Sequence, residues 1–172
     1  FLEYCFLCAF FPKTLAGPIV RYGEITPQLS EGMRAVSLGV LAEGTTRFTI
    51  GLFKKVVLAD TLAGYANPIF TADAFGRDLG MVEAWGGILA YTFQVYFDFS
   101  GYTDMALGIA RMFGISLPEN FNSPYKATNI IDFWKRWHMT LSRFLRDYLY
   151  IPLGGNRQGP VRQYLNLLIT MV

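Results

Sequence analysis

The sequence predicts an all-α membrane protein with spanning, slanted and interfacial helices. Three observations predict it. Of 172 residues, 52% are hydrophobic and only 16% are charged, where a soluble domain carries about 25% charged residues. The mean hydropathy of +0.29 is too apolar for an ordinary soluble enzyme and too polar for a chain built only of spanning helices. Apolar residues also recur at helical spacing over 36–63 and 129–150. A net charge of +2, with no separate Lys/Arg-rich block, argues against a nucleic-acid partner.

The elements follow in chain order. Residues 1–11 read as the end of a membrane helix, stopped by Pro12 with Lys13 at the interface. Cys5 and Cys8 have the spacing of half a zinc site, but no second ligand pair follows, so free thiols and no metal are expected. "LAGPIVRYGEITPQL" contains Gly17, Pro18, Gly23 and Pro27 and reads as a loop. Its apolar side chains imply a loop buried against protein or lining a wet cavity.

Val36–Ala63 reads as a tilted or interfacial helix interrupted by Glu43, Arg47, Lys54, Lys55 and Asp60. Asn67–Gly80 reads as loop. Met81–Phe97 is the best spanning candidate, with Ser100-Gly101 expected to loosen the helix beyond it. Asp98 and Asp104 sit in apolar surroundings, where carboxylates are rare and invite a functional reading. Asp104 and Arg111 lie two turns apart on one helical face and form a candidate structural pair, while Asp98 is a candidate cap.

After the turn-rich "ENFNSPY", the stretch "FWKRWHMTLSRFLRDYLYIPLGGNR" holds His138, the single histidine of the chain. A helix from Asn129 to Tyr150 is expected, capped at Thr128 or Asn129 and ended by Pro152, Gly154 and Gly155. On a wheel, Ile130, Trp134, Trp137, Leu141, Phe144, Leu145 and Tyr148 form an apolar arc. Asp132, Lys135, Arg136, Arg143, Arg146 and Asp147 lie opposite. His138 falls at the edge of the apolar arc, where burial and nearby cations favour neutral imidazole. It reads either as a core histidine satisfied by a carbonyl or as a group acting on a hydroxyl. Lys135, Arg136, Arg143, Arg146 and Arg157 either snorkel at the interface or hold phosphate, of lipid or of a thioester donor. Phe1 opens the chain without Met, and "YLNLLITMV" reads as an apolar helix stopping in mid-span. The expectation is a fragment, truncated at both ends, of a single membrane domain.

"LAGPIVRY", "LFKKVVLAD", "YTFQVYFDFSGYTDMALGIARMFG", "NFNSPY" and "DFWKRWHMTLSRFLRDYLYIPLGGNR" together resemble the membrane-bound O-acyltransferase (MBOAT) family. The resemblance is nearest to its alginate O-acetyltransferase branch, with the D-alanyl-lipoteichoic acid transferase branch nearby. It implies a multi-pass enzyme of the bacterial inner membrane, enclosing a tunnel. Such an enzyme moves an acyl group, here expected to be acetyl, from a cytoplasmic thioester to a hydroxyl. The donor would be acetyl-CoA or an acyl-carrier protein, with no bound cofactor. The acceptor would be an extracytoplasmic polysaccharide or a periplasmic acetyltransferase partner. The "RWH" motif puts His138 at the family's assisting or tunnel-lining position. Trp134, Arg136, Trp137 and Tyr148 become candidate tunnel or oxyanion residues, and Lys135, Arg143, Arg146 and Arg157 candidate phosphate ligands. The family's principal histidine, in a Trp-His-Gly setting, is expected beyond Val172. An ion-coupled transporter built on Asp98, Asp104 and Arg111, or an inactive membrane scaffold, are the rival classes.

Overall fold

The computed structural model describes residues 2–14, 16–31, 36–74, 76 and 78–171. Its regular elements are helical: α1 (Leu2–Ala9), α2 (Tyr22–Glu31), α3 (Leu38–Phe53), α4 (Asp60–Ala74), α5 (Met81–Met112), α6 (Ile130–Arg136), α7 (Met139–Leu145) and α8 (Gly159–Met171). Two compact units appear. One comprises the residues up to Gly17 with Arg21–Leu117; the other comprises Pro18–Val20 with the residues from Pro118 on.

In the first unit α3 and α5 pack most closely, and glycines set the spacing. Gly44 faces Gly108 and Gly51 faces Gly101, so backbone meets backbone with no Cβ between. Beyond α3 the chain widens into a π-helical stretch, Lys54–Ala59, before α4. The wider turn directs two consecutive lysines toward α5: Lys54 Nζ lies 2.5 Å from Asp104 and Lys55 Nζ 2.6 Å from Asp98. The start of α5 is held by Glu83, whose Oε2 accepts from Gly80 N–H at 3.1 Å. At its end Gly114 takes φ +76°, and Ile115 N–H closes back on Ala110 O at 2.9 Å. This αL stop buries Ile115 completely.

Several expectations change. The segment read as a loop contains α2, because Glu24 Oε2 accepts from Arg21 N–H at 3.0 Å and fixes a helix start. Leu15 lies outside the described residues. Gln28 then pairs with the backbone of Ser116 through both amide atoms, 2.8 and 3.1 Å, which anchors α2 despite Pro27 in its interior. The helix expected to stop at Ala63 runs on to Ala74 with Pro68 inside it, so most of the expected 67–80 loop is helical. α5 continues unbroken through Ser100-Gly101, because Gly101 serves helix packing rather than loosening. Asp104 does not pair with Arg111. It takes Arg47 at 3.0 Å and Lys54, and Arg111 takes Glu43 at 2.9 Å. All three partners lie on the neighbouring α3 or the π-helical stretch rather than along α5.

Among the described residues no helix is long and apolar enough to cross a membrane. The expected span at Met81–Phe97 carries only Glu83 as a charge, but Trp85, Gly86, Gly87, Tyr91, Thr92, Gln94 and Tyr96 dilute its apolar run. The surface is nonetheless rich in exposed large apolar side chains, including Leu38, Met81, Val82, Val161 and Tyr164. Extensive apolar exposure of this kind marks a surface that meets protein or lipid.

In the second unit the single helix expected over 129–150 is broken. Asn129 caps α6 as expected, its Oδ1 accepting from Asp132 N–H at 2.8 Å. The chain then turns at Trp137 and His138, where His138 adopts φ +45°, and restarts as α7. A further π-helical stretch covers Arg146–Tyr150, and turns through Gly154 and Gly155 follow, as the sequence suggested. Asn166 of α8 is fully buried and ties these turns down, its Nδ2 donating to Leu153 O at 3.1 Å and Gly155 O at 3.0 Å.

Candidate active site at the helix break

His138 is placed by the restart of a helix. A helix start leaves backbone N–H groups without intrahelical acceptors. At α7 the residue in the capping position is His138 itself, whose left-handed backbone supplies no side-chain cap. Asn120 supplies the acceptors instead. Its backbone carbonyl accepts from Met139 N–H at 2.9 Å, and its Oδ1 accepts from Thr140 N–H at 3.2 Å. The Oδ1 also lies 2.9 Å from Thr140 Oγ1 and 2.9 Å from His138 Nδ1. Thr140 Oγ1 in turn accepts from Ile19 N–H at 3.0 Å. Asn120 is wholly buried and Thr140 nearly so, and His138 is half-buried. Burial pushes the His138 imidazole below its ordinary range, so the ring is neutral at neutral pH.

Aromatic rings close around the break. Phe121 lies face-on to His138 at 6.5 Å between centroids and edge-on to Trp137 at 5.1 Å. Trp137 stacks on Phe133 at 5.6 Å, and Tyr125 stacks on Phe133 at 6.2 Å. Aromatic pairs at these distances add roughly 0.5–1.5 kcal/mol each beyond their burial, so the turn is stiffly walled.

The structure therefore brings Trp137, His138 and Arg136 together with Asn120, Phe121 and Asn122. Arg136 Nε donates to Asp132 at 2.9 Å, and the Arg136 carbonyl accepts from Asn122 N–H at 2.9 Å. The other predicted site residues sit elsewhere. Trp134 and Tyr148, expected in a buried arc, are exposed, as are Ile130 and Phe144. The kink at 137–138 ends the common wheel on which that arc was drawn. Lys135 lies in the last turn of α6, Arg143 lies in α7, Arg146 opens the π-helical stretch and pairs with Asp147 at 2.7 Å, and Arg157 belongs to the turns beyond. Lys135 and Arg146 are exposed, while Arg143, expected with them on a solvated face, is partly covered. Cys5 and Cys8 are free and exposed, and no metal-binding group of side chains occurs among the described residues.

Asn120 and Thr140 are the residues that sequence reasoning missed. The only local signal was that a lone histidine in an apolar chain needs an acceptor.

An apolar, all-helical chain with one half-buried histidine held at a helix break fits the class of helical proteins that work at a membrane. A family model for the membrane-bound O-acyltransferase (MBOAT) family matches residues 1–172, and the chain belongs to that family. It is 51% identical over 177 residues to a peptidoglycan O-acetyltransferase of Helicobacter pylori, covering 100% of this chain and 32% of that protein. It is 46% identical over 171 residues to a probable alginate O-acetylase AlgI of Pseudomonas aeruginosa, covering 99% and 32%. A teichoic acid D-alanyltransferase of Bacillus subtilis is 34% identical over 143 residues, covering 83% and 35%. The chain spans about one third of the length of these curated relatives.

Proposed function

We propose that this chain is the His138-bearing part of a multi-pass O-acyltransferase of a bacterial inner membrane, in a single membrane domain that extends beyond residues 1 and 172. The enzyme moves an acetyl group from a cytoplasmic thioester, acetyl-CoA or an acyl-carrier protein, to a hydroxyl. The acceptor is an extracytoplasmic polysaccharide or a periplasmic acetyltransferase partner that passes the group on. Similarity to proteins named as O-acetyltransferases supports acetyl over other acyl groups.

One observation carries the reading: the single histidine of the chain is neutral, half-buried and held at an aromatic-walled helix break by a buried asparagine. Neutral imidazole takes a proton as a hydroxyl attacks a thioester carbonyl. His138 assists at this step or lines the tunnel, with the principal histidine beyond Val172. Trp134, Arg136, Trp137 and Tyr148 line the substrate path, and Lys135, Arg143, Arg146 and Arg157 meet donor or headgroup phosphate. The transporter reading loses support because Asp98 and Asp104 each engage a lysine, which leaves them fixed as ion-pair partners.

The test is O-acetyl transfer by the full-length protein in membranes with a thioester donor, against His138→Ala. Loss of about 10²–10⁴-fold at unchanged membrane insertion supports the reading. Undiminished transfer per folded molecule sinks it.

A further inference from the structure

The geometry points to Asn120 as a positioning residue that fixes the tautomer of His138, protonating Nδ1 and leaving the lone pair on Nε2. This rests on the reading of His138 as a group that acts on a hydroxyl.

Thr140 N–H donates and cannot accept, so the Asn120 atom 3.2 Å from it is the amide oxygen. The same oxygen sits 2.9 Å from His138 Nδ1. An unprotonated Nδ1 would set lone pair against lone pair at hydrogen-bond distance, so Nδ1 carries the hydrogen. The threonine hydroxyl agrees. It accepts from Ile19 N–H at 3.0 Å and donates its own hydrogen to the amide oxygen at 2.9 Å, which carries none. The Thr140 backbone N–H thus sets the direction of the bond between Asn120 and the imidazole.

Rotating the amide by 180° is the competing arrangement. It would give Asn120 Nδ2 partners; that atom is buried with none among the described residues. It would also set amide N–H against Thr140 N–H, donor to donor, at a residue only 3% exposed. The two arrangements predict opposite tautomers. In the neutral ring the nitrogen bearing the lone pair is the one that can take a hydroxyl proton. A fixed Nδ1–H tautomer assigns that task to Nε2, as buried hydrogen-bond partners of imidazole do in other enzymes.

The charged groups on the segments that meet at His138 are Glu119 beside Asn120, Asp132, Lys135 and Arg136 on α6, and Arg143 on α7. Asp132 and Arg136 neutralise one another.

The experiment has two arms in the full-length protein. The first reads histidine ¹⁵N chemical shifts at pH 8, with His138 assigned by its loss in His138→Gln. Protonated-type Nδ1 with unprotonated-type Nε2 is expected; the reverse pattern means a rotated amide and overturns the inference. This arm is independent of activity, so it stands even if His138 proves dispensable for transfer. The second arm compares Asn120→Asp with Asn120→Ala. Aspartate keeps the cap on α7 and the acceptor for Nδ1–H but favours imidazolium. The acid limb of the kcat–pH profile should therefore rise by about one unit or more, with activity retained above it. Asn120→Ala should lose at least about tenfold in kcat per folded molecule. If Asn120→Asp folds and its acid limb stays at the wild-type position, Asn120 is a helix cap only.

Discussion

Gly44 and Gly108 touch through their backbones: a Cβ built on either would lie 2.7 or 2.6 Å from the other's carbonyl oxygen. No side chain can occupy that gap without parting α3 from α5. Gly108→Ala should therefore destabilise the fold by about 1–3 kcal/mol, the usual cost of overpacking. Gly64→Ala and Gly86→Ala meet nothing within 4 Å and should instead stabilise by about 0.5–1 kcal/mol through helix propensity. Thermal unfolding in detergent of the three variants gives the comparison. Equal effects would mean that close approach is not what the glycine provides.

The doubly held carboxylate makes a graded prediction. Asp104 is 14% exposed and meets both Arg47 and Lys54. Asp104→Asn should cost about 2 kcal/mol or more, since two cations lose their shared acceptor. Arg47→Ala alone should cost less than about 1 kcal/mol, because Arg47 is 36% exposed and Lys54 retains the carboxylate. Chemical denaturation of each variant checks the order; a larger loss for Arg47→Ala would reverse the assignment.

At His138 backbone and ring can be separated. Its φ of +45° suits glycine and asparagine better than alanine. His138→Gly and His138→Asn should thus be more stable than His138→Ala by about 1 kcal/mol. In transfer assays glycine and alanine should be equally poor, while asparagine keeps a hydrogen-bonding group and retains more activity. Equal stability of the three proteins would show that the turn is not strained.

The lowered affinity of His138 for protons has a definite sign. Between its folded pKa and the unfolded value of about 6.5, the unfolded chain binds a proton that the folded chain does not. Stability contributed by this group is full above about pH 6.5 and is lost as pH falls through that window. The melting temperature of the wild type should drop between pH 7 and pH 5 by more than that of His138→Gln. A parallel decline in both would assign the pH dependence to other groups.

The sequence made the helical class, the α3 and α5 cores and the cap at Asn129 readable, because each rests on local spacing or on a residue's own chemistry. It hid α2, since Gly23 and Pro27 mimic a loop while the capping bond from Glu24 and the Gln28–Ser116 pairing hold a helix there. It hid the break at Trp137–His138 as well. No glycine or proline marks it, and the apolar period runs across it undisturbed. What forces the break is Asn120, 18 positions upstream, and no local window contains both residues. The partner of Asp104 was misread for a related reason: an in-helix cation two turns away is visible in a periodicity, whereas Arg47 on another helix is not.

The spacing of the glycines carries one more consequence. Gly44 and Gly51 are seven residues apart on α3, and so are Gly101 and Gly108 on α5. Close contact by itself would accept a slipped alignment in which only one glycine pair meets. Slipped so that Gly44 meets Gly101, α5 would bring Asp104 level with Leu41, where Arg47 alone stands in the place Lys54 now holds and one of the two cations is lost. Slipped so that Gly51 meets Gly108, it would bring Asp98 level with Thr61, beside the like charge of Asp60. The ion pairs from Arg47, Lys54 and Lys55 thus act as a vernier: glycines decide how near the helices come, and charges decide which notch they stop at.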